Sequence, residues 1–413
     1  MKVAVAQLGA RMHWAVPSIL AGADCLELLY TDLAFAEGGL AAKVLRRVAK
    51  RGIGLRRLAG RIVPGVGSDR LRSNAVLGIW YAGALRRAGT RAKAEEIYLR
   101  AGRLFGEAIC RRGFRNAAGV YAFNTAALEV FRLARASGLV RVLEQTSAPR
   151  AIERELLRSE HERFPGWEVP VPTSAAVDRE LQVREEEEWA EATTILAGSP
   201  FVRETIGMAG GPVSKVQVVP YGVSLQGPAR REPKRRDRSR PLRVVTVGRL
   251  SLHKGTPYVI EAAKRLRGEA EFRIVGASAV TASAVAEVRK HVEWSGPVPR
   301  SEVADHLGWG DVFLHPSLCE GSPAACLEAM QAGLPVICTP NTGSVVETGR
   351  DGVVVPQGDV DSIVAALGEF SSRDGLLEEM SGRCLRRAGD FSVEAYGRRL
   401  VAALEAAGSL GGS

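Results

Sequence analysis

The chain has 413 residues, 46% of them hydrophobic and 25% charged, with a formal net charge of +10. That length exceeds one ordinary core and points to about two or three domains, and the composition excludes a chain that is mainly disordered. The positive balance points to anionic partners: phosphorylated sugars, acidic lipid or nucleic acid.

The N-terminal KVAVAQLGA reads as a first β-strand rather than a secretion signal, because Gln7 and Arg11 interrupt the apolar run. Residues 38–68 contain no acid, yet Lys43, Arg46, Arg47, Lys50, Arg51, Arg56, Arg57 and Arg61 are all basic. Ala41, Val44, Leu45 and Val48 recur beside them at helical spacing. Two readings stand: a surface helix that packs its apolar stripe on the first sheet, or a basic amphipathic face that docks on anionic lipid. Strands are predicted again at 118–123 (AGVYAF) and 139–144 (LVRVLE), and VQVVPYGV closes this first α/β unit near residue 225.

The stretch 226–241 is dense in Pro, Arg and Lys and cannot build a core, so it is expected to be an exposed linker. A second α/β unit follows over 242–385. LRVVTVG, AEFRIVG, VEWSG, DVFLHP and LPVICT are its strands, and helices near 257–267, 281–293, 301–308 and 323–332 lie between them. The final stretch, 386–413, reads as a helix returning towards the first domain, with a Gly/Ser tail. Each unit has the alternation of a doubly wound parallel sheet. Charge-free residues 329–346 are broken by Gly and Pro, and no segment reads as a membrane span. The six cysteines show no C-x-x-C pair, which fits a reduced, cytoplasmic setting.

Two segments carry chemistry. In HPSLCEGSPAACLEAMQAGLPV, Ser322 is predicted to cap a helix that begins at Pro323 and stops at Gly333. That helix N-terminus follows a strand end, where open α/β sheets bind ligands, and its free amides suit a pyrophosphate. Glu320 precedes the cap and Glu328 lies eight positions later. In VGRLSLHKG, Arg249 and Lys254 sit in a loop bounded by Gly248 and Gly255. Paired cations there can neutralise a diphosphate leaving group.

The run from Glu320 through Gly321, Ser322 and Pro323 to Glu328, followed by Ala-Gly-Leu-Pro-Val, resembles the signature of the family-4 GT-B glycosyltransferases, as does the G-R-x4-K-G of residues 248–255. KVQVVPYGVS (215–224) and SVVETGRDGVVVPQGD (344–359) extend the likeness over residues 195–400. The resemblance implies two Rossmann-like domains facing a central cleft, with acceptor binding in the first (1–225) and donor binding in the second. It implies retaining transfer of a hexose from a nucleoside diphosphate sugar to a saccharide or lipid-linked acceptor. Glu320 would contact the sugar, Glu328 the ribose, and Arg249 and Lys254 the diphosphate, with Gly9, Gly321, Ser322 and Pro323 completing the donor site. A carboxylate suits the ribose because it accepts from both hydroxyls.

No H-x-H, D-x-D or Cys/His cluster has metal-ligand spacing, and the two cations are expected to replace a divalent ion. The family's glycine pair after the first strand is reduced here to Gly9, and Glu144 and Gln145 stand where a cleft histidine is expected. His13 reads as solvated or structural, His315 as a pocket or core residue, and His253 as exposed. A GT-B epimerase or hydrolase, and a non-catalytic basic nucleotide-binding protein, are the competing readings. The Arg-rich segments lack the interleaved aromatics of a nucleic-acid binder.

Overall fold

The computed structural model describes residues 1–49, 52–169, 174–224 and 232–410. In chain order, β1 (Val3–Gln7) and β2 (Leu26–Thr31) precede a short pair, β3 (Phe35–Ala36) and β4 (Ile62–Val63). Then come β5 (Leu71–Ser73), β6 (Gly119–Phe123), β7 (Val140–Gln145), β8 (Thr194–Ala197) and β9 (Val216–Val218). Apart from the short pair, these strands form one parallel sheet in the order β5-β2-β1-β6-β7-β8-β9. β1, β6 and β8 are buried throughout, the near-continuous apolar character of a parallel sheet covered on both faces.

The second sheet is also parallel. β10 (Leu242–Val247), β11 (Ala270–Val275), β12 (Glu293–Trp294), β13 (Val312–His315), β14 (Val336–Cys338) and β15 (Gly352–Val354) lie in the order β12-β11-β10-β13-β14-β15. In both sheets the order reverses beside the first strand, between β1 and β6 and between β10 and β13. Loops leaving neighbouring strands at such a point diverge to opposite faces and open a crevice.

The domains are tied by more than the crossover near residue 224. The helix Val393–Leu410 buries Tyr396, Leu400, Leu404 and Ala407 in the first domain's core. The helix Arg150–Arg163, in the first half of the sequence, sends a strap the other way. Phe164 and Trp167 pack on the second domain's core, and the Tyr258 hydroxyl donates to Glu160 (2.6 Å). The Leu252 amide donates to Glu168 (2.7 Å). This excursion was not read from the sequence.

Residues 226–231 of the expected linker lie outside the described residues, as do Lys50, Arg51 and the tail 411–413. In residues 232–241, Glu232, Arg235, Asp237, Arg238 and Ser239 are exposed as expected of a linker, but two residues anchor the stretch to the second domain. Lys234 is buried and donates to the carbonyls of Gly308 (2.7 Å) and Gly310, while Arg240 holds Asp311 through two nitrogens (2.7 and 2.9 Å). A lysine can enter a core this way because carbonyls at a helix C-terminus accept its N–H groups. Among the described residues no helix is long and apolar enough to cross a membrane.

Candidate active site

The site is built on the second sheet's reversal point. The loop after β10 carries Arg249 and Lys254; the loop after β13 carries Ser317 and Glu320. Gly255 lets them meet. It has φ +67°, and a Cβ there would lie 2.0 Å from the Pro316 carbonyl. With that approach made, the Lys254 ammonium pairs with Glu320 Oε1. Ser317 Oγ lies 3.0 Å from the same oxygen, His315 Nε2 3.7 Å and His253 Nδ1 4.0 Å. Burial draws the Lys254 pKa down to about 8, with Cys326 opposing and the Arg249 charge adding to the fall. Arg249 is exposed and makes no ion pair among the described residues, so its guanidinium is available to an incoming anion.

The helix Ala324–Gln331 starts one residue later than predicted. Pro323 is its N-cap and Ser322 makes no capping hydrogen bond, because Ser322 is turned against Gly198 of the first domain. Gly333, at φ +71°, follows the helix end as expected. Glu328 is buried on this helix and accepts from Arg300 Nη2 (2.6 Å). Burial raises its carboxyl pKa and Arg300 opposes the rise.

The first domain closes over these groups. A Cβ at Gly321 would lie 1.8 Å from the Thr146 carbonyl, so only glycine permits this approach. Thr146 Oγ1 accepts from Arg11 (3.3 Å) and donates to Asn124 (3.0 Å), which joins the loops after β1, β6 and β7. The Gly9 amide donates to buried Asp32 (3.1 Å), holding the loop after β1 at the first sheet's own reversal point. His13 accepts from Arg300 (3.3 Å) and thereby reaches across the cleft.

Of the predicted residues, Arg249, Lys254 and Glu320 converge, with Glu328 on the helix that follows. Gly321 and Ser322 line the boundary between the domains, whereas Gly9 stays within the loop after β1 and Pro323 caps the helix. Corrections concern the histidines and Glu144. His253 is not simply exposed: it lies between Glu153 (3.8 Å) and Glu320, and burial lowers its pKa to about 4. Glu144 does not stand in for a cleft histidine. It is buried, accepts from Tyr221 (2.6 Å) and Tyr121, and burial raises its pKa. Arg300, Ser317 and Thr146 were missed; Arg300 and Thr146 enter through tertiary contacts that no local pattern announces, and Ser317 through a loop that brings it back on Glu320 three residues later. Among the described residues no cluster of three metal-ligating side chains occurs.

Residues 241–372 match the glycosyl transferases group 1 family. WcaL of Salmonella typhimurium, provisionally named a colanic acid biosynthesis glycosyltransferase, is 32% identical over 214 residues, 48% of this chain and 52% of that protein. The GDP-mannose-dependent alpha-(1-6)-phosphatidylinositol monomannoside mannosyltransferase of Mycolicibacterium smegmatis is 29% identical over 248 residues, 54% of this chain and 62% of that protein. The chain thus spans about half the length of the curated relatives it matches. Anabaena HepE, solved with UDP and glucose, superposes over 98% of this chain and 100% of its own, with a TM-score of 0.59 at 15% identity. Residues 241–372 are therefore a domain of the glycosyl transferases group 1 family, set in a GT-B fold.

Proposed function

We propose that the chain transfers a hexose from a nucleoside diphosphate sugar to a saccharide or lipid-linked acceptor, with retention, in cell-surface polysaccharide or glycolipid synthesis. One observation carries this reading: Arg249, Lys254 and Glu320 meet at one sheet reversal point, Glu328 follows on the adjoining helix, and the other domain's reversal point faces them. Arg249 and Lys254 supply fixed positive charge where the departing diphosphate accumulates negative charge. The leaving phosphate takes the acceptor proton on the face it departs from, and the two cations replace a divalent ion. The relatives named above act in polysaccharide and phosphoinositide mannoside chemistry, which supports this class of acceptor.

The test is nucleoside diphosphate release from a panel of nucleotide sugars, with and without candidate acceptors. Acceptor-dependent release is expected; release unaffected by every acceptor indicates the hydrolase or epimerase reading, and none at all indicates a binding protein. Proton NMR of the fresh product is expected to show the donor's anomeric configuration, and activity is expected to survive EDTA.

We propose further that the protein works at the cytoplasmic face of a membrane. In the helix Leu40–Val48, Leu40 (80% exposed) and Val44 (50%) face outward beside Lys43 and Arg47. Ala42 alone in that helix is fully buried, so the apolar stripe is not spent on the first sheet. Cations near an anionic surface contribute about 1 kcal/mol each. Co-sedimentation with anionic vesicles is expected, lost in high salt and on combined Arg46→Gln, Arg47→Gln, Lys50→Gln and Arg51→Gln substitution. Equal binding to neutral vesicles overturns this placement.

A further inference from the structure

In the structure Lys254 is paired with Glu320, whereas the proposed reaction asks the same ammonium to meet a diphosphate. When it turns away, the half-buried Glu320 loses its charged partner. Ser317 lies within hydrogen-bond reach, but its single proton is shared with the His253 carbonyl at 2.9 Å. A carboxylate that must align a sugar needs a firmer anchor.

His315 is placed to supply it. The ring is fully buried at the end of β13, stacked on Phe313 (centroids 5.7 Å apart, planes at 16°). Gly248 and Lys254 close over it from the β10 loop. Among the described residues neither ring nitrogen has a hydrogen-bond partner. A buried polar pair left unmatched carries a desolvation penalty and calls for an explanation. Nε2 lies 3.7 Å from Glu320 Oε1, so a shift of about 0.7 Å makes an ordinary hydrogen bond. Burial and the neighbouring Lys254 charge keep the imidazole neutral, so it can donate an N–H without adding a cation that would repel Lys254 and Arg249. Lys254, Ser317, His253 and His315 all address Oε1, and Oε2 has no contact among the described residues.

We propose that His315 is the positioning residue for Glu320: it takes over Oε1 when Lys254 turns to the diphosphate, leaving Oε2 for the donor sugar. The inference rests on the transferase reading above.

His315→Phe keeps the stack and the volume but removes the N–H; His315→Gln keeps an N–H donor. With the donor found active, His315→Phe is expected to lower kcat by about tenfold or more. Calorimetric affinity for UDP or GDP, whichever the wild type binds, is expected to stay within about twofold, since Glu328 and the cations are untouched. His315→Gln is expected to recover part of kcat. Wild-type kcat in His315→Phe overturns the proposal, as does an equal loss of kcat and nucleotide affinity in both variants. Should His315→Phe fail to fold, ¹⁵N-histidine NMR of the wild type decides. A neutral His315 whose Nε2 signal moves on adding UDP or GDP supports the handover, and a signal unmoved by bound nucleotide overturns it. A wild type that binds neither nucleotide and releases none from any donor overturns the transferase reading first, and this inference with it.

Discussion

The two walls of the cleft use their charged residues in opposite ways. On the second-domain wall, Lys254 pairs with Glu320, Glu328 pairs with Arg300 and Arg249 is exposed, and their loops hold ordinary backbone apart from the glycines. On the first-domain wall the acids turn inward. Glu188 accepts from the amides of Thr125 (2.7 Å), Ala127 (2.9 Å) and Leu128 (3.3 Å), and Asp32 accepts from Gly9 and Arg61. What they hold is strained. Met12, His13, Trp14 and Thr125 all have φ between +48° and +76°, costing on the order of 1–3 kcal/mol each for side chains that rarely enter that region. One wall gathers charged side chains and the other carries an imposed backbone shape.

The largest effects should come from emptying the charged wall. Lys254→Ala and Glu320→Ala are each expected to lower turnover by about 10²-fold or more, the loss typical of one electrostatic stabiliser. Because burial holds Lys254 near 8, wild-type activity should be full at neutral pH and decline as pH rises through about 8, where the ammonium is lost. Near-full turnover in Glu320→Ala would sink the assignment of this wall. Next in size, Glu328→Ala is expected to weaken nucleotide binding by about tenfold with kcat nearly kept, the pattern of a group that binds ground and transition states alike. Calorimetry beside steady-state kinetics separates the two.

The same asymmetry explains what the sequence could reveal. Glu320, Glu328, Arg249 and Lys254 lie in two short segments whose glycines, Gly255 and Gly321, mark close backbone approaches; spacing alone was weak, and the resemblance of the two segments to a family signature singled these residues out. The strands of the second domain were legible too, as Val-rich runs between helical periods. The first-domain wall was not. Its shape depends on Glu188 reaching a loop some sixty residues earlier in the chain and on Arg11 reaching Thr146, contacts that leave no local spacing. The strands Leu26–Thr31 and Thr194–Ala197 were passed over for want of alternation, since both faces are covered. His315 could be read only as pocket or core because burial, not spacing, leaves its nitrogens unmatched.

Relaxing the strained wall sharpens the contrast at smaller scale. Thr125 is β-branched at φ +76°, and Thr125→Gly removes that strain while giving the unfolded chain more freedom. The net expected outcome is a gain of about 1 kcal/mol in stability, with weaker acceptor use and unchanged nucleotide affinity. A thermal melt at or below the wild-type temperature would mean that the surrounding contacts favour this conformation outright, and the description of this wall as strained would fail.

The smallest effect tests a contact that crosses between the walls. Arg300 donates to Glu328 (2.6 Å) and to His13 (3.3 Å), linking the carboxylate proposed to hold the ribose to the strained loop. Burial raises the Glu328 pKa and Arg300 opposes that rise, so the carboxylate is ionised above its raised pKa and protonated as pH falls through it. Since ribose hydroxyls donate to the ionised form, nucleotide affinity should fall on the acid side, beginning above the ordinary carboxylate range. Arg300→Ala removes the opposing charge and should move this limb to higher pH. At neutral pH, affinity should change only about two- to fivefold, because losing a competitor for Glu328 offsets losing the charge. His13 limits the effect from the other side. Its pKa is lowered by burial and then by Arg300, so in the variant it recovers some affinity for a proton and partly replaces the missing cation as the solution acidifies. Arg300→Ala combined with His13→Ala should therefore show the steeper acid limb. Calorimetric titration of nucleotide across pH distinguishes these slopes, and coincident pH profiles in wild type and both variants would show that Glu328 acts without reference to the opposite wall.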